Sequence, residues 1–534
     1  MLRQEIAIKS FDRDMAEFFW GVATSPYQCE GGYNGPGQPQ TNWSESELRG
    51  SVAKAGLGAD FWHRYGEDFA RSRELGLNAF RIGVEWSRVQ PTLVDQVGPP
   101  PLFDQKALEH YVQIFAECRR NGLEPIVTLH HFVHPSWLGT DPWLEPDITG
   151  HFCRYVEQSL LYINRRLIDG HGLAPLRYYI TINEPNMLVL NTYFGRQFPG
   201  RKKRNLGLRT LVQVYCQILS THVRAYNLIH RLAREMGWPE PMVTMNNYCS
   251  DLYWSDKVLL DLLAIRERGV TLSGLRDYIY AKSQQFEQAF LEAGIPLKKD
   301  IPFFFGALAK RFSNWAGYKA FAAECFAPLV DEIYLAEQPS TFDYLGLDYY
   351  DPFAAHIFRL PVWWDHEFKD KSVRTWIMNS ITSKWWDWRV LPAGMRFFCE
   401  NYSRDYGRPV LIAENGMALR RRVDNRTTLR RDRMTRSQFL KLHLEEVTRI
   451  VEAGVPLIGY LYWSLFDNYE WGSFTPRFGL YSIDYTRDNE RLLEDHHGDH
   501  PSITYARLIE EARERTAWAT LQGPRNQCQP AEPD

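Results

Sequence analysis

The chain has 534 residues, a formal net charge of −3 and 24% charged residues. This near balance supplies no basic surface of the kind that binds nucleic acid or an anionic membrane, so we expect neither partner. Its eight cysteines form no C-x-x-C pair, which indicates reduced thiols. Because the N-terminal stretch also has no apolar core typical of a secretory signal, we expect a cytoplasmic protein.

Eight short strand-like runs, each followed by polar residues, set the predicted architecture. They cover residues 18–23, 78–84, 124–129, 176–182, 241–245, 342–347, 408–413 and 456–463. Helical patterns lie between them, and several of these end at a glycine just before the next strand, namely Gly76, Gly122, Gly407 and Gly454. Strands that alternate with helices pair in parallel, so the fold class is α/β and we expect a single (β/α)8 TIM barrel.

The predicted barrel has long loop insertions between its strands and helices. The intervals after the first, fourth, fifth and sixth strands exceed the length of one helix. We expect extra helices in 250–340 and a tryptophan-rich loop or subdomain at 363–389. A single domain over 1–520, followed by a disordered tail at 521–534, accounts for the whole chain.

Polar residues collect at the predicted strand ends, which meet at one mouth of a barrel. They are Gln28, Arg81, His131, Asn183, Glu184, Asn246, Asp348, Tyr350, Glu414, Asn415, Glu470 and Trp471. Two of the carboxylates, Glu184 and Glu414, belong to opposite strands of the predicted barrel. A retaining glycosidase holds two such groups about 5–5.5 Å apart, so this pattern indicates cleavage of a glycosidic bond.

The chain resembles the family 1 glycoside hydrolases, which are retaining β-glycosidases on a (β/α)8 barrel. The first motif that carries the resemblance is Thr181-Ile182-Asn183-Glu184-Pro185, and the second is "LIAENG" at 411–416. The resemblance implies that Glu184 is the acid/base and that Glu414 is the nucleophile.

Five further motifs are similar to those of the same family: "FFWGVATSPYQCEGG", "FRIGVEWSRVQP", "TLHHFVHP", "LGLDYY" and "YLYWSLFDNYEW". They imply that Arg81 contacts the nucleophile and that Tyr350 lies beside it. The sugar-binding residues that the resemblance implies are Gln28, His131, Asn183, Trp388, Trp463, Glu470 and Trp471.

The resemblance also implies the reaction. We expect hydrolysis of terminal non-reducing β-D-glucosyl residues by double displacement, with β-D-galactosyl and β-D-fucosyl residues as further candidates. The substrate is a small β-glycoside or oligosaccharide, and neither a metal nor another cofactor takes part. A carboxylate at Glu470 would repel a 6-phosphate, which favours an unphosphorylated sugar.

Several positions depart from the family pattern. Ala413 replaces the common Thr, Asp348 stands where Asn is common, and the residues that flank His131 differ. Pro185 is expected to restrict the backbone of Glu184 to extended conformations. In a regular strand, Asn183 and Glu184 would point to opposite sides.

Two other classes of protein remain as alternatives. A barrel metallohydrolase could use His130, His131 and His134, which lie close together in the sequence. A sugar-binding protein that has lost catalysis would share the same barrel and the same sugar contacts.

Overall fold

Eight parallel strands close into a barrel in the computed structural model, which describes residues 18–92, 100–194, 199, 207–297, 301–353, 385–422 and 424–521. The strands are β1 (Phe19–Ala23), β2 (Ala79–Gly83), β3 (Glu124–Thr128), β4 (Tyr178–Asn183), β5 (Met242–Tyr248), β6 (Leu345–Asp348), β7 (Val410–Asn415) and β8 (Leu457–Trp463). Each strand pairs in parallel with its neighbours in the sequence, and β8 pairs with β1 to complete the ring. The predicted (β/α)8 barrel is therefore confirmed, and every predicted strand overlaps an observed one.

Helices follow the strands around the outside of the barrel. The α-helices span Pro26–Cys29, Ser44–Leu48, Phe61–Glu74, Trp86–Val89, Gln105–Arg120, Ile148–Arg165, Pro185–Leu188, Leu208–Met236, Lys257–Leu263, Leu275–Glu292, Ile301–Ala320, Ala327–Leu335, Pro392–Tyr406, Arg436–Glu452 and Pro501–Leu521. Short strands outside the barrel are Leu419–Arg421, Thr427–Thr428, Pro476–Arg477, Ser482–Asp484 and Glu490–Leu492. Gly76, Gly122, Gly407 and Gly454 have φ between 63° and 77°, the left-handed conformation expected where a helix ends.

The insertion at 250–340 consists of helices, as the sequence predicts. Lys257–Leu263, Leu275–Glu292, Ile301–Ala320 and Ala327–Leu335 all fall between β5 and β6. The predicted tryptophan-rich segment lies outside the described residues up to 384, and the predicted tail lies outside them from 522 onward. Within the described part of the chain, no helix is both long and apolar enough to cross a membrane.

Apolar side chains fill the barrel from inside and cover it from outside. Phe19, Ile126, Ile180 and Leu461 belong to the cluster inside the strands, and a larger cluster joins the strands to the surrounding helices. Because both faces of a barrel strand are buried, each strand reads as a nearly continuous apolar run. This packing leaves the carboxyl ends of the strands as the place where polar groups gather.

Several strand pairs are irregular close to their carboxyl ends. The register shifts between Ile180 and Asn183 in the β4–β5 pair and between Leu347 and Asp348 in the β6–β7 pair. Such irregularities break the alternation of side chains that a regular strand imposes. The condition of a regular β4, under which Asn183 and Glu184 would point to opposite sides, is therefore not met.

Candidate active site

A pocket opens at the carboxyl ends of the barrel strands. This is the face on which barrel enzymes build their active sites. Aromatic and carboxyl groups dominate its walls, which consist of Gln28, His131, Phe132, Glu184, Met187, Asn191, Tyr248, Tyr350, Trp385, Trp388, Glu414, Trp463, Glu470, Trp471 and Phe478. Nine of the eleven site residues predicted from the sequence lie in this wall. Arg81 and Asn183, the other two, lie directly behind it.

Three carboxyl groups converge in the pocket. One oxygen each of Glu184, Asp348 and Glu414 lies within 4.8 Å of the other two, and all three side chains are buried. The separation of Glu184 and Glu414 suits direct attack by a carboxylate, because an inverting enzyme needs a wider gap of about 6.5–9.5 Å for water.

Glu414 is held from both sides at the end of β7. The guanidinium of Arg81 donates from Nη1 to Glu414 Oε1 at 2.7 Å, and the hydroxyl of Tyr350 donates to Oε2 at 2.8 Å. Burial raises the pKa of Glu414, while Arg81 and Tyr350 oppose that rise. These two contacts favour the ionised carboxylate and fix its direction.

Arg81 is fully buried and also contacts the neighbouring strands. Its Nε donates to Thr128 Oγ1 at 2.8 Å, and its Nη2 donates to Asn183 Oδ1. Asn246 Nδ2 donates to the same Asn183 oxygen at 2.8 Å. Asn183 therefore lies beside the carboxyl groups in a fixed orientation.

The backbone of Glu184 is left-handed, with φ 38° and ψ 63°, so the predicted extended conformation is wrong. Pro185 disfavours the right-handed helical region for the residue before it, and in the left-handed conformation Glu184 N donates to Asn246 O at 2.9 Å. A left-handed residue other than glycine costs about 1–2 kcal/mol. Phe132 and Trp471, also in the pocket wall, have positive φ as well.

The environment of Glu184 favours its protonated form. Burial raises its pKa well above the ordinary value, and the nearby carboxylates of Asp348 and Glu414 raise it further, while Arg81 has the opposite effect. Glu184 and Glu414 therefore have opposite environments: Glu414 has two donors that support its charge, and Glu184 has two acidic neighbours.

A fourth carboxyl group, Glu470, is fixed in the wall of the pocket. Trp463 Nε1 donates to Glu470 Oε1 at 2.8 Å, and Gln28 Nε2 donates to Oε2 at 2.9 Å. Ser25 Oγ donates to Gln28 Oε1 at 2.6 Å and so orients that amide. Burial raises the pKa of Glu470 to about 8.

His131 packs face to face with Trp463, with ring centroids 5.6 Å apart and an interplanar angle of 11°. Burial lowers the pKa of His131 well below its usual value, so the imidazole is neutral. The three histidines of the metallohydrolase alternative do not converge: His134 bonds to Gly139 O, and the group of potential metal ligands found among the described residues contains no histidine. The geometry does not favour that alternative.

The structure brings residues to the site that the sequence analysis did not assign to it. Asp348 and Asn246 were visible as polar residues at strand ends, and that signal could have placed both of them in the site. Thr128, Tyr248 and Trp385 gave no comparable signal. Asn415, in contrast, does not line the pocket, because its amide donates to Tyr349 O and accepts from Tyr460 OH.

A closed parallel barrel with two buried carboxyl groups close together at its mouth defines a glycoside-cleaving hydrolase of the retaining class. The comparison with protein families agrees with this class. The chain belongs to glycosyl hydrolase family 1, whose model matches residues 11–250 and 311–497.

Individual relatives are distant but match along most of the chain. Beta-glucosidase A of Acetivibrio thermocellus is 27% identical over 491 residues, which cover 90% of this chain and 95% of that protein. 6-phospho-beta-galactosidase 1 of Streptococcus pneumoniae is 26% identical over 492 residues, covering 88% of this chain and 93% of that protein.

Solved structures support the same fold. A beta-glucosidase from Thermotoga maritima in complex with a substituted glucoimidazole superposes with a TM-score of 0.62 at 20% identity, covering 93% of this chain and 98% of that chain. A beta-glycosidase from Pyrococcus horikoshii superposes with a TM-score of 0.59 at 22% identity, covering 92% and 94%.

Proposed function

We propose that this retaining β-glycosidase removes terminal β-D-glucosyl residues from small β-glycosides or oligosaccharides, with Glu414 as nucleophile and Glu184 as acid/base. The observation that carries the proposal is the approach of Glu184 and Glu414 to within 4.8 Å at the barrel mouth, with Arg81 and Tyr350 bonded to Glu414. The β-glucosidases among the relatives support the choice of glycone.

In the first step, a carboxylate oxygen of Glu414 attacks the anomeric carbon while the bond to the leaving oxygen breaks. The proton of Glu184 moves to that oxygen, so the aglycone leaves as a neutral alcohol. Arg81 and Tyr350 keep Glu414 ionised before the attack, and the acidic neighbours keep Glu184 protonated.

In the second step, water hydrolyses the ester between Glu414 and the sugar. Esterification removes the negative charge of Glu414, which lowers the pKa of Glu184 and makes its carboxylate the base. Glu184 takes one proton from water, the oxygen attacks the anomeric carbon, and Glu414 leaves as a carboxylate. Both groups then have their initial protonation states.

The remaining pocket residues would bind the sugar. Glu470, held by Trp463 and Gln28, can accept hydrogen bonds from neighbouring sugar hydroxyls, and the indole face of Trp463 can pack against the ring. Asn183 lies beside the carboxyl groups, where the 2-hydroxyl of a bound glucosyl residue would be placed. His131, Trp388 and Trp471 complete the surface around the sugar.

We expect the enzyme to prefer unphosphorylated glycosides. The described residues that line the pocket include three glutamates and no Lys or Arg, whereas phosphate recognition relies on cationic donors. Aryl β-D-glucosides should therefore have a kcat/KM at least about 100-fold higher than the matching 6-phospho-β-D-glucosides, since one unpaired charge costs several kcal/mol in a buried site. Steady-state kinetics on the two series measures this ratio, and a preference for the phosphorylated series would contradict the proposed substrate class.

A mechanism-based label tests the two proposed roles. A 2-deoxy-2-fluoro-β-D-glucoside with a good leaving group should add the mass of one fluoroglucosyl unit to the protein, and peptide mapping should locate it on Glu414. Glu414→Gln should remain unlabelled, while Glu184→Gln should still be labelled, because a good leaving group departs without a proton. Label on another residue, or none on the wild-type protein, would refute the assignment.

A further inference from the structure

Asp348 places a third carboxyl group against the proposed acid/base, at a point where the double displacement does not require one. It ends β6, is fully buried, and has an oxygen within 4.8 Å of oxygens of both Glu184 and Glu414. Two of these three groups have roles in the proposed mechanism, whereas Asp348 has none. The position of Asp348 is therefore not explained by the double displacement alone.

The hydrogen bonds of Asp348 are asymmetric. Asn246 Nδ2 donates to Asp348 Oδ2, which identifies Asp348 as an acceptor. Its other oxygen, Oδ1, is buried and has no hydrogen-bond partner among the described residues. A buried oxygen without a donor costs about 1–3 kcal/mol. A proton on Glu184 would supply the missing donor, and one oxygen of each side chain lies within 4.8 Å of the other. Burial and the charge of Glu414 raise the pKa of Asp348 as well, while a hydrogen bond with Glu184 lowers it, which favours the proton on Glu184.

We infer that Asp348 is a positioning residue that holds the proton of Glu184 in a hydrogen bond between the two carboxyl groups, with Glu184 as donor and Asp348 as acceptor. This inference rests on the proposed role of Glu184. Burial, followed by the charge of Asp348, raises the pKa of Glu184, as the geometry requires. A neutral side chain at 348 would supply neither the negative charge nor the same strong acceptor.

The histidine, tyrosine and cysteine side chains around the pair do not change protonation state near neutral pH, so the proton on the pair is governed by carboxyl groups. The titratable side chains that interact with the pair are Arg81 on β2, Tyr248 at the end of β5, Cys249 directly after it, Tyr350 after β6 and Glu414 on β7. His131 and Glu470 lie in the same pocket wall. Burial keeps His131 neutral and raises the pKa of Tyr248, Cys249 and Tyr350, so these four do not ionise near neutral pH.

The paired arrangement also suits the reaction cycle. Before attack, Glu414 and Asp348 are ionised and Glu184 is protonated. After attack, Glu414 is an ester, while Asp348 and Glu184 are ionised. The three groups therefore have two negative charges in both states, and Arg81 opposes the same total charge throughout. Asp348 stays ionised in both states, so it neither gains nor loses a proton during the cycle.

Asp348→Asn tests the inference, because asparagine has nearly the same shape and can still accept from Asn246. With phenyl β-D-glucoside, whose leaving group needs a proton, the alkaline limb of kcat/KM should fall by about one pH unit or more. With the 2,4-dinitrophenyl glucoside, whose leaving group needs none, the limb should move much less. Asp343→Asn is the matched control. It removes a carboxylate just before β6 that bonds Tyr226 and His230, and it should leave the alkaline limb in place with both substrates.

An unchanged alkaline limb in folded Asp348→Asn, or an equal shift with both substrates, would overturn the inference. If that variant does not fold, Asp348→Ser provides the second neutral side chain. If neither folds, carboxyl carbon NMR of the wild-type protein decides, since a proton-sharing pair titrates in two coupled steps and separate groups titrate independently. Labelling of wild-type Glu414 by the fluoroglucoside separates this result from a failure of the proposed function.

Discussion

At the scale of single residues, the site consists of carboxyl groups made different by their neighbours. The sequence was enough to predict that Glu184, Glu414, Arg81 and Tyr350 lie together at the barrel mouth, because each belongs to a motif at a strand end. It did not predict the left-handed backbone of Glu184, which depends on a hydrogen bond to Asn246, 62 positions further along the chain. Nor did it assign a role to Asp348, whose partners come from other strands.

The hydrogen bond from Tyr350 predicts how the acidic limb of the pH profile depends on one hydroxyl group. Tyr350→Phe removes a donor that lowers the pKa of Glu414, so that pKa should rise. Because Glu414 must be ionised to attack, the acidic limb of kcat/KM should move to higher pH, by about one unit. Rates measured across pH 4–8 with an aryl glucoside would show this shift.

Tyr349→Phe is the control for that variant. Tyr349 is the preceding residue and is also buried, but its hydroxyl donates to Leu391 O and not to a carboxylate. Its loss should lower the free energy of unfolding and leave the acidic limb in place. A shift of the limb in Tyr349→Phe, or none in Tyr350→Phe, would show that the hydroxyl of Tyr350 does not support the charge of Glu414.

At the scale of elements, the strand pattern predicted all eight barrel strands, since each is an apolar run that ends in polar residues. The register shifts near Asn183 and Asp348 were not predictable, because pairing between strands distant in sequence decides them. The positions of the loops could not be predicted from local sequence patterns either, because long-range contacts fix them. The segment after β8, which carries Glu470, is fixed by Asp467 through Arg477 and the backbone N–H groups of Gly479 and Ile483.

The Arg477–Asp467 pair predicts a large loss of stability from a single substitution. Both side chains are 1% exposed, and Arg477 Nη1 lies 3.1 Å from Asp467 Oδ2. Arg477→Met should lower the free energy of unfolding by about 3–5 kcal/mol, because it leaves a buried carboxylate without its main partner. Equilibrium urea unfolding measures this loss.

Arg487→Met is the matched control, since Arg487 and Glu490 form an ion pair whose side chains are 68% and 45% exposed. Exposed pairs contribute about 0–1 kcal/mol, so this variant should unfold nearly as the wild type does. Equal losses in the two variants would mean that burial of the Arg477–Asp467 pair does not determine its contribution.

At the scale of the whole molecule, alternation of strands and helices was sufficient to predict the closed barrel, because parallel strands with helical connections have few ways to bury both faces. For the segment between β5 and β6, the sequence predicted extra helices but not their number or bounds. Residues 251–310 fall between the two stretches that match the family model. Its helices pack outside the barrel and contribute no residue to the pocket wall described above.

Arg81 couples the shape of the barrel to the position of Glu414. From β2, its guanidinium bridges the lumen to Thr128 on β3, Asn183 on β4 and Glu414 on β7. Any change in the cross-section of the barrel would move the Arg81 guanidinium and so displace the carboxylate of Glu414 to which it is bonded. The diameter of the barrel and the orientation of the Glu414 carboxylate are thus coupled through Arg81, so substitutions deep in the lumen should change the rate of the reaction proposed for Glu414.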